Sequence, residues 1–194
     1  MIIDLYQNLL FANWKYRPMI MHKQPALKPQ DLLVTLKIAI RPQQQATYAV
    51  LAKELFMSAS EVHASTRRAE QSRLLMRSNE GLIPVRPALQ EFLIHGVKYV
   101  FPAVAGPLTR GIPTGLAGPV LRKHFDHHDD LPPVWPDPEG EVRGLSLYPI
   151  YPSVPAASRV DHQLYEVLSL LDGLRGGAAR ERELAEQALM ERFH

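Results

Sequence analysis

Ser60, His63 and Arg67 stand three and four positions apart in SASEVHASTRRAE, so a helix would set them on one face. With Ser58, Ala59 and Ala64, that face offers hydroxyls, an imidazole and a guanidinium among small residues. An arginine can reach guanine O6 and N7 with two bonds, while serine and histidine can donate or accept at a base edge. Thr47, Tyr48, Arg68 and Arg73, followed by Arg77 and Asn79, suit phosphate contacts, which position a protein on a duplex without reading sequence.

Two other stretches could do chemistry. KHFDHHDD (123–130) brings together His124, Asp126, His127, His128, Asp129 and Asp130, a donor set that suits zinc or another divalent ion. On a helix His124 would meet His127 or His128, but there is no H-E-x-x-H and Pro132-Pro133 follows at once, as in an exposed loop. No metal ligand is therefore assigned, and a metal site at 124–130 stands only as an alternative. Thr109–Thr114 (TRGIPT) reads as a recognition loop with Arg110 exposed between small residues. Thr109, Arg110, Trp135, Tyr148 and Tyr151 are the candidate partner-binding residues. Neither G-x-x-x-x-G-K-[ST] nor G-x-G-x-x-G occurs, which argues against a nucleotide site. Cysteine is absent, as are G-x-S-x-G and any recognisable carboxylate pair, so neither catalysis nor a cofactor is expected.

A reading face needs a docked helix, and Thr47–Arg73 supplies the signals for one. Thr47 can cap a first helix whose Leu51, Ala52 and Leu55 point inward. Ser58-Ala59-Ser60-Glu61 is an S-x-x-E capping box, with the Ser58 hydroxyl expected on the Glu61 amide and the Glu61 carboxylate on the Ser58 amide. Val62, Ser65 or Thr66, and Ala69 form the inner face of the second helix. This stretch resembles the helix-turn-helix of bacterial transcription regulators. The likeness rests on the small Ala52, on apolar Leu51, Leu55 and Met57, and on Val62 early in the second helix. It departs at the turn, where that family has glycine and this chain has Phe56; a looser turn would accommodate it. Leu74–Arg77, a turn at Ser78–Gly81 and Leu82–Val85 then read as a hairpin, the wing of a winged helix. Before it, Asp31–Ile40 reads as an amphipathic or fully buried helix, opened by Pro29 and stopped at Pro42. The resemblance to winged-helix regulators, MarR-like ones among them, spans about residues 29–100.

Charge follows the same division. The formal charge of +2 conceals thirteen Lys/Arg against seven Asp/Glu in residues 1–100, and nine against thirteen in the remainder. The basic half carries the helix-turn-helix, as a phosphate-binding surface requires. With 194 residues the chain can make one domain or a small domain with an appendage. No apolar run reaches the ~18 residues of a membrane span. Asp4 and the lack of a basic start make the N-terminus a poor signal peptide. A cytoplasmic protein is expected.

Around the central motif, Met1–Arg17 reads as a short helix, with Met19 or Met21 as alternative starts. Pro87–Val100 is a fourth helix carrying Leu89, Phe92, Leu93 and Val97, weakened at Gly96, with His95 at the edge of the core. Phe101–Pro119 is too apolar for a linker and too rich in Gly and Pro for regular structure, so an ordered extended loop is expected. Leu131–Pro155 continues extended, with a strand at 141–147. Val160–Leu174 and Ala178–Phe193 close the chain as helices, the last with Arg180/Glu183 and Arg182/Glu186 pairs.

The expected architecture is mainly α with a small hairpin wing: an N-terminal extension (1–28), a winged helix-turn-helix (29–100) and a partner-binding or dimerisation region (101–194). The arrangement, with the TRGIPT and RGGAARERELA segments, more weakly resembles winged-helix antitoxins paired with nucleotidyltransferase-type toxins. That likeness implies an antitoxin repressing its own operon and a cognate toxin as partner. The regulator reading implies double-stranded DNA and a homodimer. The alternative uses the winged helix as a protein-interaction module.

Overall fold

The computed structural model describes residues 26–41, 46–79, 81–125 and 131–193. The expected helix in Met1–Arg17, the alternative starts, the stop at Pro42 and the Asp126–Asp130 part of the histidine–aspartate cluster lie outside them.

Pro29 has the fixed φ that suits a first helical turn, and α1 (Pro29–Ile40) begins there. Two residues on, Asp31 accepts the Lys28 amide at 2.8 Å, closing the start of the helix. Leu32, Leu33, Val34 and Leu36 are completely buried, so α1 is central and surrounded rather than amphipathic. Its polar residues are satisfied inside: Thr35 Oγ1 donates to the Asp31 carbonyl at 2.7 Å, and Lys37 pairs with Glu54 at 2.9 Å and Asp161 at 2.5 Å. Burial alone would push the Asp161 carboxyl up, but the Lys37 ammonium and the Leu164 amide together hold it below its ordinary value.

Against α1 pack α2 (Tyr48–Leu55) and α3 (Ala59–Gln71). An antiparallel hairpin follows, β1 (Leu75–Ser78) with β2 (Gly81–Pro84), in register from Leu75 opposite Pro84 to Ser78 opposite Gly81. The next helical stretch is interrupted. α4 (Arg86–Glu91) passes into a π segment, Phe92–Gly96, and then α5 (Val97–Val100). Leu89, Leu93 and Val97 face the core as the spacing requires, but the extra residue per turn leaves His95 exposed, off the core edge where it was expected.

The Gly/Pro-rich stretch is strand, not loop. β3 (Ala105–Pro113), β4 (Pro133–Pro136) and β5 (Val142–Leu147) form a closed three-stranded barrel. β3 runs antiparallel to both neighbours, and β4 and β5 pair in parallel. Closure with so few strands drives backbone against backbone. A Cβ on Gly111 would lie 2.0 Å from the Trp135 carbonyl oxygen, and one on Gly144 2.0 Å from that of Pro132. The prolines stand where the ladder is interrupted or ends: Pro107 lies in the register shift between Ala105 and Leu108, and Pro113, Pro133 and Pro136 are the terminal residues of their strands. Glycine and proline, which argue against an open strand, are what this barrel needs.

Three helices complete the chain. α6 (Val154–Val160), which was not expected, precedes α7 (His162–Gly176), so the helix expected from Val160 begins at His162, after Asp161. Asp161 caps α7 through the Leu164 amide at 3.0 Å. In α8 (Ala179–Phe193) the expected local pairs do not form: Arg182 donates to the Gly177 carbonyl at 2.5 Å. Arg192 reaches Glu166 on α7 at 2.6 Å instead. One hydrophobic core runs from Leu32 to Phe193 through both halves of the chain. No helix among the described residues is long and apolar enough to cross a membrane.

The barrel is tied to the helices by a buried carboxylate. Asp172 accepts Trp135 Nε1 at 2.5 Å, Thr114 Oγ1 at 2.8 Å and the Arg175 guanidinium at 2.6 Å, and Arg175 also donates to the Phe101 and Pro102 carbonyls. Close by, Glu181 takes the Leu116 and Ala178 amides. Burial pushes the Glu181 carboxyl above its ordinary value, and the Asp172 charge adds to the rise against those amides. A raised folded value means the protonated acid favours the fold. That contribution is complete below the unfolded value and is lost as pH rises through the folded one. Glu181→Gln should therefore gain on the wild type in melting temperature between pH 4 and pH 7; parallel curves would refute this.

Candidate nucleic-acid interface

The local signals of the α2–α3 unit are realised within a few residues of where they are written. Thr47 Oγ1 accepts the Val50 amide at 3.3 Å, and Ser58 Oγ accepts the Glu61 amide at 3.2 Å. The turn between them is tight. Phe56 takes the left-handed conformation (φ 54°, ψ 46°), and the Met57 amide returns to the Ala52 carbonyl at 2.9 Å. The expected looser turn is absent; the chain accepts a side chain where glycine would be unstrained. Because Phe56 is more than half exposed, little packing is lost by removing it. Phe56→Gly should leave stability within about 1 kcal/mol of wild type, relief of strain offsetting glycine's entropy, whereas β-branched Phe56→Val should lose about 1–2 kcal/mol. Urea denaturation of the two variants checks this.

Val62, Ser65, Thr66 and Ala69 are all fully buried, the inner face that helical spacing predicts. Three side chains of α3, Arg68, Glu61 and Glu70, then tie it to its surroundings. Arg68 clamps the buried Asp31 carboxylate with Nε at 2.8 Å and a terminal nitrogen at 2.6 Å. Glu61 does not return to the Ser58 amide; its carboxylate accepts the Tyr151 hydroxyl at 2.7 Å and Gln30 Nε2 at 3.4 Å. That bond pushes the Tyr151 phenol up to about 12. At the far end, Arg77 of the hairpin pairs with Glu70 at 3.1 Å.

With the inner face docked, the outer face is left bare. Ser58, Ala59, Ser60, His63 and Arg67 are exposed, and Arg67 has no ion-pair partner among the described residues. The His63 ring meets Tyr48 edge-on at 5.1 Å between centroids, and Arg77 donates to the Tyr48 hydroxyl at 3.3 Å. Start of α2, outer face of α3 and hairpin therefore form one surface. Thr47, Arg73 and Asn79 are exposed, Arg73 in the left-handed conformation (φ 59°) just beyond α3.

Several sequence-based candidates stand elsewhere. Arg68 is a correction: its guanidinium is spent on Asp31, 37 residues away, and is not offered to solvent as a phosphate contact would be. Trp135 is another, at 1% exposure with its N–H on Asp172; it anchors the barrel and cannot meet a partner. Tyr151 is half-buried and its hydroxyl is committed to Glu61. Arg110 and Tyr148 are exposed, and Thr109 is half-buried with its hydroxyl near the Arg110 carbonyl. His124 is exposed, and no group of three or more His, Asp or Glu suited to a metal occurs among the described residues. Missed from sequence were Asp31, Glu61 and Glu70 as the anchors of α3. Only the acidic residue in the first turn of α1 hinted at one of them.

No protein-family model, curated protein or solved structure matches this chain.

Proposed function

We propose that this chain is a sequence-specific binder of double-stranded DNA, a winged helix-turn-helix regulator that represses by occupying its site. The observation that carries the reading is the two-sided character of α3. Its inner face is fixed by Asp31, Tyr151 and complete burial, while Ser60, His63 and Arg67 are exposed beside the Arg77 hairpin. A helix held so rigidly can offer its outer side chains to a major groove without paying to order them.

In that complex Arg67 reads a guanine, Ser60 and His63 read neighbouring edges, and Arg73, Asn79 and Thr47 hold phosphates. Arg77 must exchange Glu70 for phosphate, so Glu70 sets a charge threshold against loose binding. Two copies would engage half-sites one helical turn apart. If the second half also holds the product of a neighbouring gene, the chain is an antitoxin, and co-expression must yield a complex.

The test is fluorescence anisotropy on duplex DNA from upstream of its own gene, at two salt concentrations. Arg67→Ala should weaken specific binding by about 1–3 kcal/mol and relax sequence preference, whereas Arg73→Ala should weaken all duplexes alike and lower the salt slope by about 1. Binding no better than to competitor DNA would sink the reading.

A further inference from the structure

β3 and β5 form an antiparallel ribbon in which Arg110 stands directly opposite Arg143 and Leu108 opposite Leu145. Alternation along a strand places these four side chains on one face. All four are exposed, the leucines by 40% and 49%.

This face is costly as it stands. Like charges opposite one another in a ladder repel, with Cβ atoms only about 5 Å apart, and aliphatic side chains beside them gain nothing in water. Neither guanidinium forms an ion pair among the described residues, although Asp and Glu outnumber Lys and Arg in this half of the chain. We infer that the β3–β5 face is a docking surface for an acidic protein segment, whose carboxylates take Arg110 and Arg143 and whose apolar residues cover Leu108 and Leu145. A nucleic acid would satisfy the arginines but leave the leucine pair wet, so the joint charge and apolar pattern favours protein. β3 already pairs with both other strands, so recognition runs through side chains rather than by strand addition. The inference does not depend on DNA binding by α3.

A phage library of random 12-residue peptides, panned on the full chain, tests it; the enriched peptides are then synthesised for titration. Asp or Glu beside large apolar residues should be enriched, and affinity should fall at least tenfold in Arg110→Glu/Arg143→Glu and in Leu108→Ser/Leu145→Ser. The milder Arg110→Gln/Arg143→Gln guards against misfolding, and unchanged DNA binding by each variant separates this surface from α3. Selected peptides without acidic residues, or binding indifferent to the substitutions, overturn the inference. Displacement by a 20-base-pair duplex would give the arginines to nucleic acid. Self-association abolished by the same substitutions would give the face to a second copy. Either of these results also overturns it.

Discussion

Arg67→Ala and Arg68→Ala, adjacent in sequence, are expected to fail in opposite ways. Arg68→Ala should cost about 3–5 kcal/mol of stability, because it strands a carboxylate that is entirely buried. Asp31 would keep only the Lys28 amide, and α3 would lose its strongest tie to α1. Asp31→Ala should cost less, since the Arg68 side chain is 22% exposed and can turn to water. Arg67→Ala should leave the denaturation midpoint within ~0.5 kcal/mol of wild type, as an exposed position does, and register only in DNA affinity. Guanidinium denaturation of the three variants decides it. Equal stability of the two arginine variants would remove Arg68 as the anchor of α3.

Asp172→Ala carries a second large effect, on the order of 3–5 kcal/mol, or about 10 °C in Tm for a chain of this size. Three donors converge on that carboxylate, and its deletion orphans Trp135 Nε1, Thr114 Oγ1 and one arm of Arg175 at once. Arg175 keeps its bonds to the Phe101 and Pro102 carbonyls but loses its counter-charge in a site where it is 5% exposed. Trp135 fluorescence should shift towards that of a hydrated indole before the helices unfold, since the barrel is released first. A variant within 1 kcal/mol of wild type, with unaltered emission, would show that the hydrophobic contacts alone hold the barrel.

How far the chain could be read without coordinates depended on the distance over which each interaction acts. Thr47 and Ser58 cap amides three residues away, and the inner face Val62, Ser65, Thr66 and Ala69 follows from helical period alone. The Glu61 half of the capping box was misread because a hydroxyl 90 residues distant competes for the same carboxylate. Arg67 and Arg68 look alike in sequence, and nothing local says which of them faces Asp31.

The barrel was the largest loss. Composition marks Phe101–Pro119 as broken, since glycine and proline weaken an isolated strand. In a three-stranded closure the same glycines remove side chains that would collide with a facing carbonyl, and the prolines stand at strand ends or a bulge. What the amino-acid sequence determined by itself is the helical hairpin, its caps, its bare outer face and the β1–β2 hairpin. All of these are written in contacts between residues a turn or a strand apart. Tertiary structure alone decided which arginine is buried, that Trp135 is an anchor, and that the Gly/Pro stretch is a sheet. Each of those outcomes depends on a partner group far away in the chain, and the free energy of a buried charge or a closed ladder exists only once that partner has arrived.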